Sequence, residues 1–284
     1  MSKDFTFYVL RMTWLSARPT LASRAPLQTT PTFIFGTDRF EMMKESVRQR
    51  LLDINRTFYE QFGASFSGTR FGAQPGWDRI IHYFPQRGAV LDLGCGNGRL
   101  ALYLEQHLQQ ARYVGLDGSE ALLRIAREQT AHLAHISTEF FRIDLSSDEW
   151  RRASGYFDVV TALALLHHIP GFEARRAFVQ AAGACLKPGG VLILSNWRFV
   201  QNERMRRKLL PWAAAGLKDA DVEPGDYLLD WKKDGGGVRY AHQLDEAEIE
   251  TLAKAADLSL EEHFLADGRE GDLSLYSVLR ARTI

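Results

Sequence analysis

The segment Ala89-Val90-Leu91-Asp92-Leu93-Gly94-Cys95-Gly96-Asn97-Gly98 limits the possible folds of this chain more than any other. A short apolar run reads as a buried strand and leads straight into Gly94, Gly96 and Gly98. A helix carrying Leu100, Leu102, Leu104 and Leu108 follows. Glycine accepts the backbone angles of so tight a turn and lets a ligand approach the main chain, while the free amides at the helix start face outward. Dinucleotide-binding folds use a similar turn, so the turn alone does not name the ligand.

Short apolar strands and helices alternate after it. Strands are expected at 113–116, 138–143, 157–162 and 191–195, the last preceded by the turn Lys187-Pro188-Gly189-Gly190. Helices are expected around Leu122, Leu123, Ile125 and Ala126 and over 172–185. A further helix at 244–256 is opened by Asp245 as N-cap, and strands at 258–264 and 273–280 close the chain. Such alternation predicts an α/β fold with a mainly parallel sheet, helices on both faces and one antiparallel strand from the closing pair. Ahead of it, Val47, Leu51, Leu52, Ile54, Phe58 and Phe62 have helical spacing; 63–76 reads as a loop, and 77–84 as a second helix ended by Pro85. The stretch 197–242, rich in Trp, Gly and charge, reads as an irregular insertion after the fifth strand.

Three acids end three successive strands. Asp92 lies two residues before the first glycine and suits a cationic amino-acid group. Asp117 closes the second strand, where open α/β sheets place a carboxylate against ribose hydroxyls, and Asp144 closes the third, within reach of an adenine amine. Carboxylates on one rim suit ammonium, ribose and adenine but repel a pyrophosphate, which favours S-adenosylmethionine (SAM) over NAD.

Val90-Leu91-Asp92-Leu93-Gly94-Cys95-Gly96-Asn97-Gly98, Val114-Gly115-Leu116-Asp117-Gly118-Ser119, Arg142-Ile143-Asp144 and Leu186-Lys187-Pro188-Gly189-Gly190 together resemble the successive motifs of class I SAM-dependent methyltransferases. That resemblance implies a Rossmann-like seven-stranded sheet with its last strand antiparallel. It also implies a SAM site of Asp92, Gly94, Cys95, Gly96, Asp117, Gly118, Asp144, Leu145 and Leu163. The outer segments narrow it. Phe58-Tyr59, Phe66-Ser67-Gly68-Thr69-Arg70, Trp77, Leu166-His167-His168-Ile169, Trp197, Gly225-Asp226-Tyr227 through Trp231-Lys232, and Arg239-Tyr240-Ala241-His242 resemble the tRNA wobble-uridine carboxymethyl methyltransferases. Members of that family esterify the carboxylate of 5-carboxymethyluridine and, in eukaryotes, work with a small zinc-binding activator protein.

No Asn/Asp-Pro-Pro-Tyr/Phe signature of amine-methylating enzymes follows the fourth strand, and no cysteine stands where a pyrimidine-C5 nucleophile is expected. A carboxylate acceptor is already ionised at pH 7 and needs no general base, only alignment and the exclusion of water. Cationic or donor groups are then the expected equipment: Arg70, His168, Arg239 and His242, with Tyr59, Trp197 and Tyr240 walling or stacking on the acceptor. The alternate positions of Tyr240 and His242 aim both side chains one way. For tRNA phosphates, Arg204 and Arg207 stand out within the basic run Arg204, Arg206, Arg207 and Lys208, diluted by Asp219, Asp221, Glu223 and Asp226.

Composition adds limits. Formal net charge is zero, so no global field attracts nucleic acid. Only two cysteines, Cys95 and Cys185, argue against a disulfide framework or metal site and for a cytoplasmic protein, and no apolar run approaches the ~18 residues of a membrane span. Residues 1–43 read as a disordered leader or a start placed too early, with Met42-Met43 as the alternative start; their acid-poor, Arg-bearing composition is one that transit peptides share. Residues 44–284 read as one domain: a helical lid (44–87), a SAM-binding core (88–196), a substrate-side insertion (197–243) and a closing helix and hairpin (244–284). Two other readings fit the same core: a methyltransferase for a small-molecule acid or phenol, and a non-catalytic SAM-binding subunit.

Overall fold

The computed structural model describes residues 43–283 other than 69–71, 148 and 153–155. The expectations for residues 1–42 lie outside these. Seven strands form one sheet in the order β3-β2-β1-β4-β5-β10-β9. They are β1 (Arg87–Leu93), β2 (Gln110–Asp117), β3 (Ile136–Arg142), β4 (Phe157–Leu163), β5 (Leu186–Trp197), β9 (Leu258–Ala266) and β10 (Ser274–Ala281). The first five run parallel, and β10 runs antiparallel to both β5 and β9, as the closing hairpin predicted. Strand order reverses between β1 and β4. Open α/β sheets hold ligands at the carboxyl ends of the strands beside such a reversal.

Both sheet faces are covered because the strands are apolar on both sides. On one face Leu91, Leu93, Val160, Leu192 and Leu194 pack under α5 (Phe172–Ala184) and α7 (Glu246–Ala255). On the other, Val90, Tyr113, Val159, Val191 and Ile193 meet α2 (Pro75–Ile80), α3 (Arg99–Glu105) and α4 (Glu120–Thr130). α4 shows how the sequence sets such an element: Ser119 caps it, accepting from the Leu122 amide at 3.4 Å, and Leu122, Leu123, Ala126 and Thr130 bury one face. Asp245 caps α7 as expected, accepting from the Glu248 amide at 2.8 Å.

Two expectations need correction. The opening helix α1 (Glu45–Ser67) runs through Gly63 rather than ending there. Gly63 is buried where α1 packs on α4, and a Cβ on it would make ordinary contacts, 3.7 Å from Ser119 Oγ and 3.8 Å from Leu122. The stretch 197–242 is not irregular. After the short helix α6 (Glu203–Arg206) it folds into an antiparallel sheet of β6 (Leu209–Leu210), β7 (Asp226–Trp231) and β8 (Gly237–His242). One side of this sheet packs with Val47 and Leu51 of α1 through Leu228 and Tyr240. The other packs on Trp197 and Phe199 through Leu229 and Ala241. No helix among the described residues is long and apolar enough to cross a membrane.

Candidate active site

At the end of β1 the chain turns sharply: the amides of Gly94 and Cys95 both donate to the Leu116 carbonyl of β2, at 2.8 and 3.1 Å. Gly94, Gly96 and Gly98 all take positive φ. Their surroundings differ. A Cβ on Gly94 would lie 3.0 Å from Leu165, and one on Gly98 3.0 Å from Ala126, whereas one on Gly96 would meet nothing within 4 Å. Gly94 and Gly98 are therefore glycine for packing, and Gly96 leaves a backbone surface open to a ligand. Gly115 serves the same turn from β2, since its missing side chain is filled by Cys95 Sγ and Phe140.

Asp117 joins the two strand ends. Its Oδ2 accepts from the Gly96 amide at 2.9 Å and its Oδ1 from Ser119 at 2.8 Å. Burial raises its pKa, partly offset by the amides of Ser119, Gly96 and Gly118. A carboxylate offers about four lone pairs, so these bonds leave room for a hydroxyl. Asp144 is exposed at the rim; Ser146 holds its Oδ1 through backbone and hydroxyl at 2.9 and 2.6 Å, which leaves Oδ2 to face outward. Asp92 differs from expectation. It is 4% exposed, with Oδ1 accepting from Thr161 at 2.7 Å and Oδ2 from the Tyr113 hydroxyl. Burial pushes its pKa up to about 6. Asp92 thus pins the root of the glycine loop from inside the sheet. Cys95 is buried, its thiol pushed well up by burial and by the nearby Asp117 and Asp92. Gly118 is exposed beside Asp117, Leu163 is half-buried at the end of β4, and Leu145 turns into the core.

The second cluster surrounds the segment after β4. Ala164 has a positive φ of 57°, rare for a residue with a side chain, and its amide donates to both the carbonyl (2.9 Å) and Oγ (3.0 Å) of Ser195. This turn sends Leu165 against Gly94 and His168 toward α1. Tyr59 Oη lies 2.8 Å from His168 Nε2, and His168 Nδ1 lies 3.0 Å from the Tyr240 carbonyl. Arg239, 2% exposed, lies against three aromatic rings: its guanidinium is 4.8 Å from the Phe58 centroid, 5.2 Å from Trp197 and 5.7 Å from Trp231. Burial lowers its pKa, while Tyr59, to which it hydrogen bonds, raises it. Trp197 also stacks on His167 at 4.7 Å. Tyr59, His168, Trp197 and Arg239, singled out separately in the sequence, therefore form one cluster, joined by Phe58 and Trp231 from the same motifs and by Asn55, which the fold adds.

Tyr240 and His242 do point the same way, but onto Asp226 rather than into a pocket. Asp226 Oδ1 accepts from the Tyr240 hydroxyl and His242 Nδ1, both at 2.7 Å, and His242 Nε2 lies 2.9 Å from Glu248 Oε2. Both ring nitrogens of this buried histidine face carboxylates, so both carry protons. Burial would lower its pKa; Asp226 and Glu248 outweigh that and raise it. Arg175 completes the network, bonding Glu248 at 2.7 Å and Glu223 at 2.9 Å. His242 ties the insertion to α5 and α7. Glu223, Asp226 and His242 lie close enough together to resemble a metal site, but the Arg175 guanidinium beside Glu223 supplies the positive charge there. Arg204 and Arg207 are exposed on α6, Arg207 paired with Glu203. Arg70 lies outside the described residues.

A family model for a methyltransferase domain matches residues 91–192. The chain is 27% identical over 199 residues to the tRNA (carboxymethyluridine(34)-5-O)-methyltransferase ALKBH8 of Macaca fascicularis, covering 70% of this chain and 27% of that protein. It is 36% identical over 172 residues to the ubiquinone biosynthesis O-methyltransferase of Idiomarina loihiensis, covering 60% of each. This chain therefore spans less than two thirds of either relative. A solved SAM-dependent methyltransferase from Methanosarcina mazei shares the fold, with a TM-score of 0.59 at 20% identity over 75% of this chain and all of that one. The strand order, the glycine loop and the matched segment establish that the chain carries a class I, S-adenosylmethionine-dependent methyltransferase domain, one that resembles the tRNA wobble-uridine carboxymethyl methyltransferases.

Proposed function

We propose that this domain methylates the carboxylate of 5-carboxymethyluridine at the wobble position of tRNA, in the cytoplasm. The observation that carries the reading is Arg239: a guanidinium enclosed by Phe58, Trp197 and Trp231 and bonded to Tyr59. A guanidinium keeps its charge even when burial lowers its pKa, and in a low-dielectric setting it attracts an anion far more strongly than an exposed one does. An acceptor carboxylate is ionised before it arrives, so the site needs a cation and a dry wall rather than a base. The similarity to the macaque enzyme supports the same acceptor.

The cofactor fits the first cluster. Gly96 offers open backbone, Asp117 offers lone pairs to a diol, and Asp144 Oδ2 and Gly118 line the rim. When bound, SAM supplies an electrophilic methyl group on a sulfonium. The chain's own part is placement. Leu165, packed on Gly94, and His168 share one turn, so a ligand on the glycine loop and an acceptor beside His168 are held by one rigid segment. α1 crosses the same rim, touching Ser119 through Gly63 and His168 through Tyr59, which suits a lid that excludes water. Lys208 lies within electrostatic reach of Arg239, Arg204 and Lys232, with Asp230 among them, and the exposed Arg204 and Lys232 are candidates for tRNA phosphates.

A second reading, methylation of a small phenol or acid, draws on the higher identity to the Idiomarina enzyme. Labelled SAM separates the two. With 5-carboxymethyluridine tRNA, and with a zinc-binding activator protein supplied, the label should enter tRNA and leave it in mild alkali, as a methyl ester does. Alkali-stable label, or label only in small phenols, favours the second reading.

A further inference from the structure

Asn55 stands one turn ahead of Tyr59 on α1, is 7% exposed, and belongs to no motif in the sequence. Its amide orientation is fixed by chemistry. The Tyr240 backbone N–H can only donate, and it donates to Asn55 Oδ1 at 2.9 Å. Nδ2 therefore faces His168, where it donates to the backbone carbonyl at 3.4 Å and lies 3.5 Å from ring Nδ1. The Tyr240 carbonyl, 3.0 Å from that same Nδ1, can only accept. Placing the proton on Nδ1 satisfies the shorter contact. Placing it on Nε2 would set two lone pairs against each other at 3.0 Å and leave a bond at the distance limit from Asn55 in return.

We propose that Asn55 is a positioning residue of the acceptor site, which, by bridging the Tyr240 amide and the His168 carbonyl, holds His168 as the Nδ1–H tautomer. This rests on the function proposed above. The consequence runs outward through the cluster. His168 Nε2, without a proton, takes the hydrogen bond from the Tyr59 hydroxyl at 2.8 Å. The phenol's lone pairs are then turned to the Arg239 guanidinium, which can only donate. The Tyr59 hydroxyl proton and the His168 Nδ1 proton then each have one assigned place. The row orients a cation and has no spare base: Nε2, the nitrogen that would take a proton from a phenol or alcohol, is occupied by Tyr59. The groups around His168 are Asn55 and Tyr59 from α1, His167 beside it, Trp197 from β5, and Arg239 and Tyr240 from β8. The arrangement fits an acceptor that arrives already anionic.

The test is long-range ¹H–¹⁵N correlation on the full chain with ¹⁵N-labelled histidine and bound SAM, the His168 signals being assigned by their loss in His168→Gln. The expected spectrum of the neutral ring shows protonated Nδ1 and unprotonated Nε2. Asn55→Leu should mix the tautomers and raise KM for the acceptor about tenfold while SAM affinity stays constant. A proton on Nε2 of the neutral ring overturns the proposal from the wild-type spectrum alone, whether or not the variant folds. A folded Asn55→Leu protein with an unmixed tautomer and unchanged KM overturns the role of Asn55. Failure to methylate the tRNA is a separate result: it removes the proposed substrate, whereas the spectrum is read without any acceptor.

Discussion

In the proposed reaction Asp117 serves the cofactor and Arg239 the acceptor, and single substitutions should separate the two roles. Asp117 bonds the amides of Gly96 and Ser119 and still has lone pairs for ribose hydroxyls. Asp117→Ala should weaken SAM binding at least about tenfold by calorimetry, because two charge-assisted bonds are lost from a half-buried site. Arg239→Ala should lower kcat/KM for the acceptor by a similar factor while SAM affinity changes by less than about twofold; equal losses would move Arg239 into the cofactor site. His242 acts on stability instead. Its raised pKa means that its contribution is full below the ordinary histidine value of ~6.5 and is lost as pH climbs through the raised one. Asp92, raised to about 6, has the same sign at lower pH: the folded chain gains from its protonated form and loses that gain as pH rises through 6. The urea midpoint should therefore fall from pH 7 to pH 9, and His242→Gln should flatten that slope. His242→Ala, which leaves Asp226 and Glu248 buried without the cation between them, should cost about 3–5 kcal/mol.

Among the elements, the glycine loop yields the clearest contrast. Gly98 has a φ of 78° and a Cβ site 3.0 Å from Ala126, whereas Gly96 has a φ of 55° and open space. Alanine at either position carries the left-handed strain, about 1–2 kcal/mol. Gly98→Ala should lower the melting temperature further because it also presses on α4, and Gly96→Ala should lower SAM affinity more than stability. This loop was legible from sequence because strand, turn and helix each leave a local mark. β6, β7 and β8 were not. Tyr227-Leu228-Leu229-Asp230-Trp231 and Gly237 to His242 flank an Asp234-Gly235-Gly236 turn, which is a hairpin signal, but both faces of that sheet are buried, so the polar-apolar alternation that marks a strand is blurred. The continuation of α1 through Gly63 was hidden for a different reason: glycine is a poor helix former, and the packing on α4 that accompanies the helix there comes from residues distant in sequence.

In the whole molecule, a sheet reversal at β1 and β4, a helix laid across its rim and a small sheet clamped by the Arg175–Glu223–Glu248–His242–Asp226 network bring two clusters together. Motifs in the sequence placed the glycine loop, Asp117 and Asp144 at successive strand ends, because each strand and the turn after it leave a local mark. The acceptor cluster was found only in part. Tyr59, His168, Trp197 and Arg239 were visible as polar or aromatic residues in unusual places, and Phe58 and Trp231 stood in the outer motifs without a role, whereas Asn55 looks like an ordinary helix residue until the fold assembles the cluster. His242 and Tyr240 carried the right chemistry, but their partners are Asp226 and Glu248. The central claim is that these clusters pass a methyl group to a carboxylate on tRNA. Nucleoside mass spectrometry of 5-carboxymethyluridine tRNA, after incubation with SAM, this chain and an activator protein, tests it most directly. Wild type should convert that nucleoside to its methyl ester, and Arg239→Ala should do so about tenfold more slowly; an unmodified nucleoside, with SAM bound and the activator present, would contradict the proposed reaction.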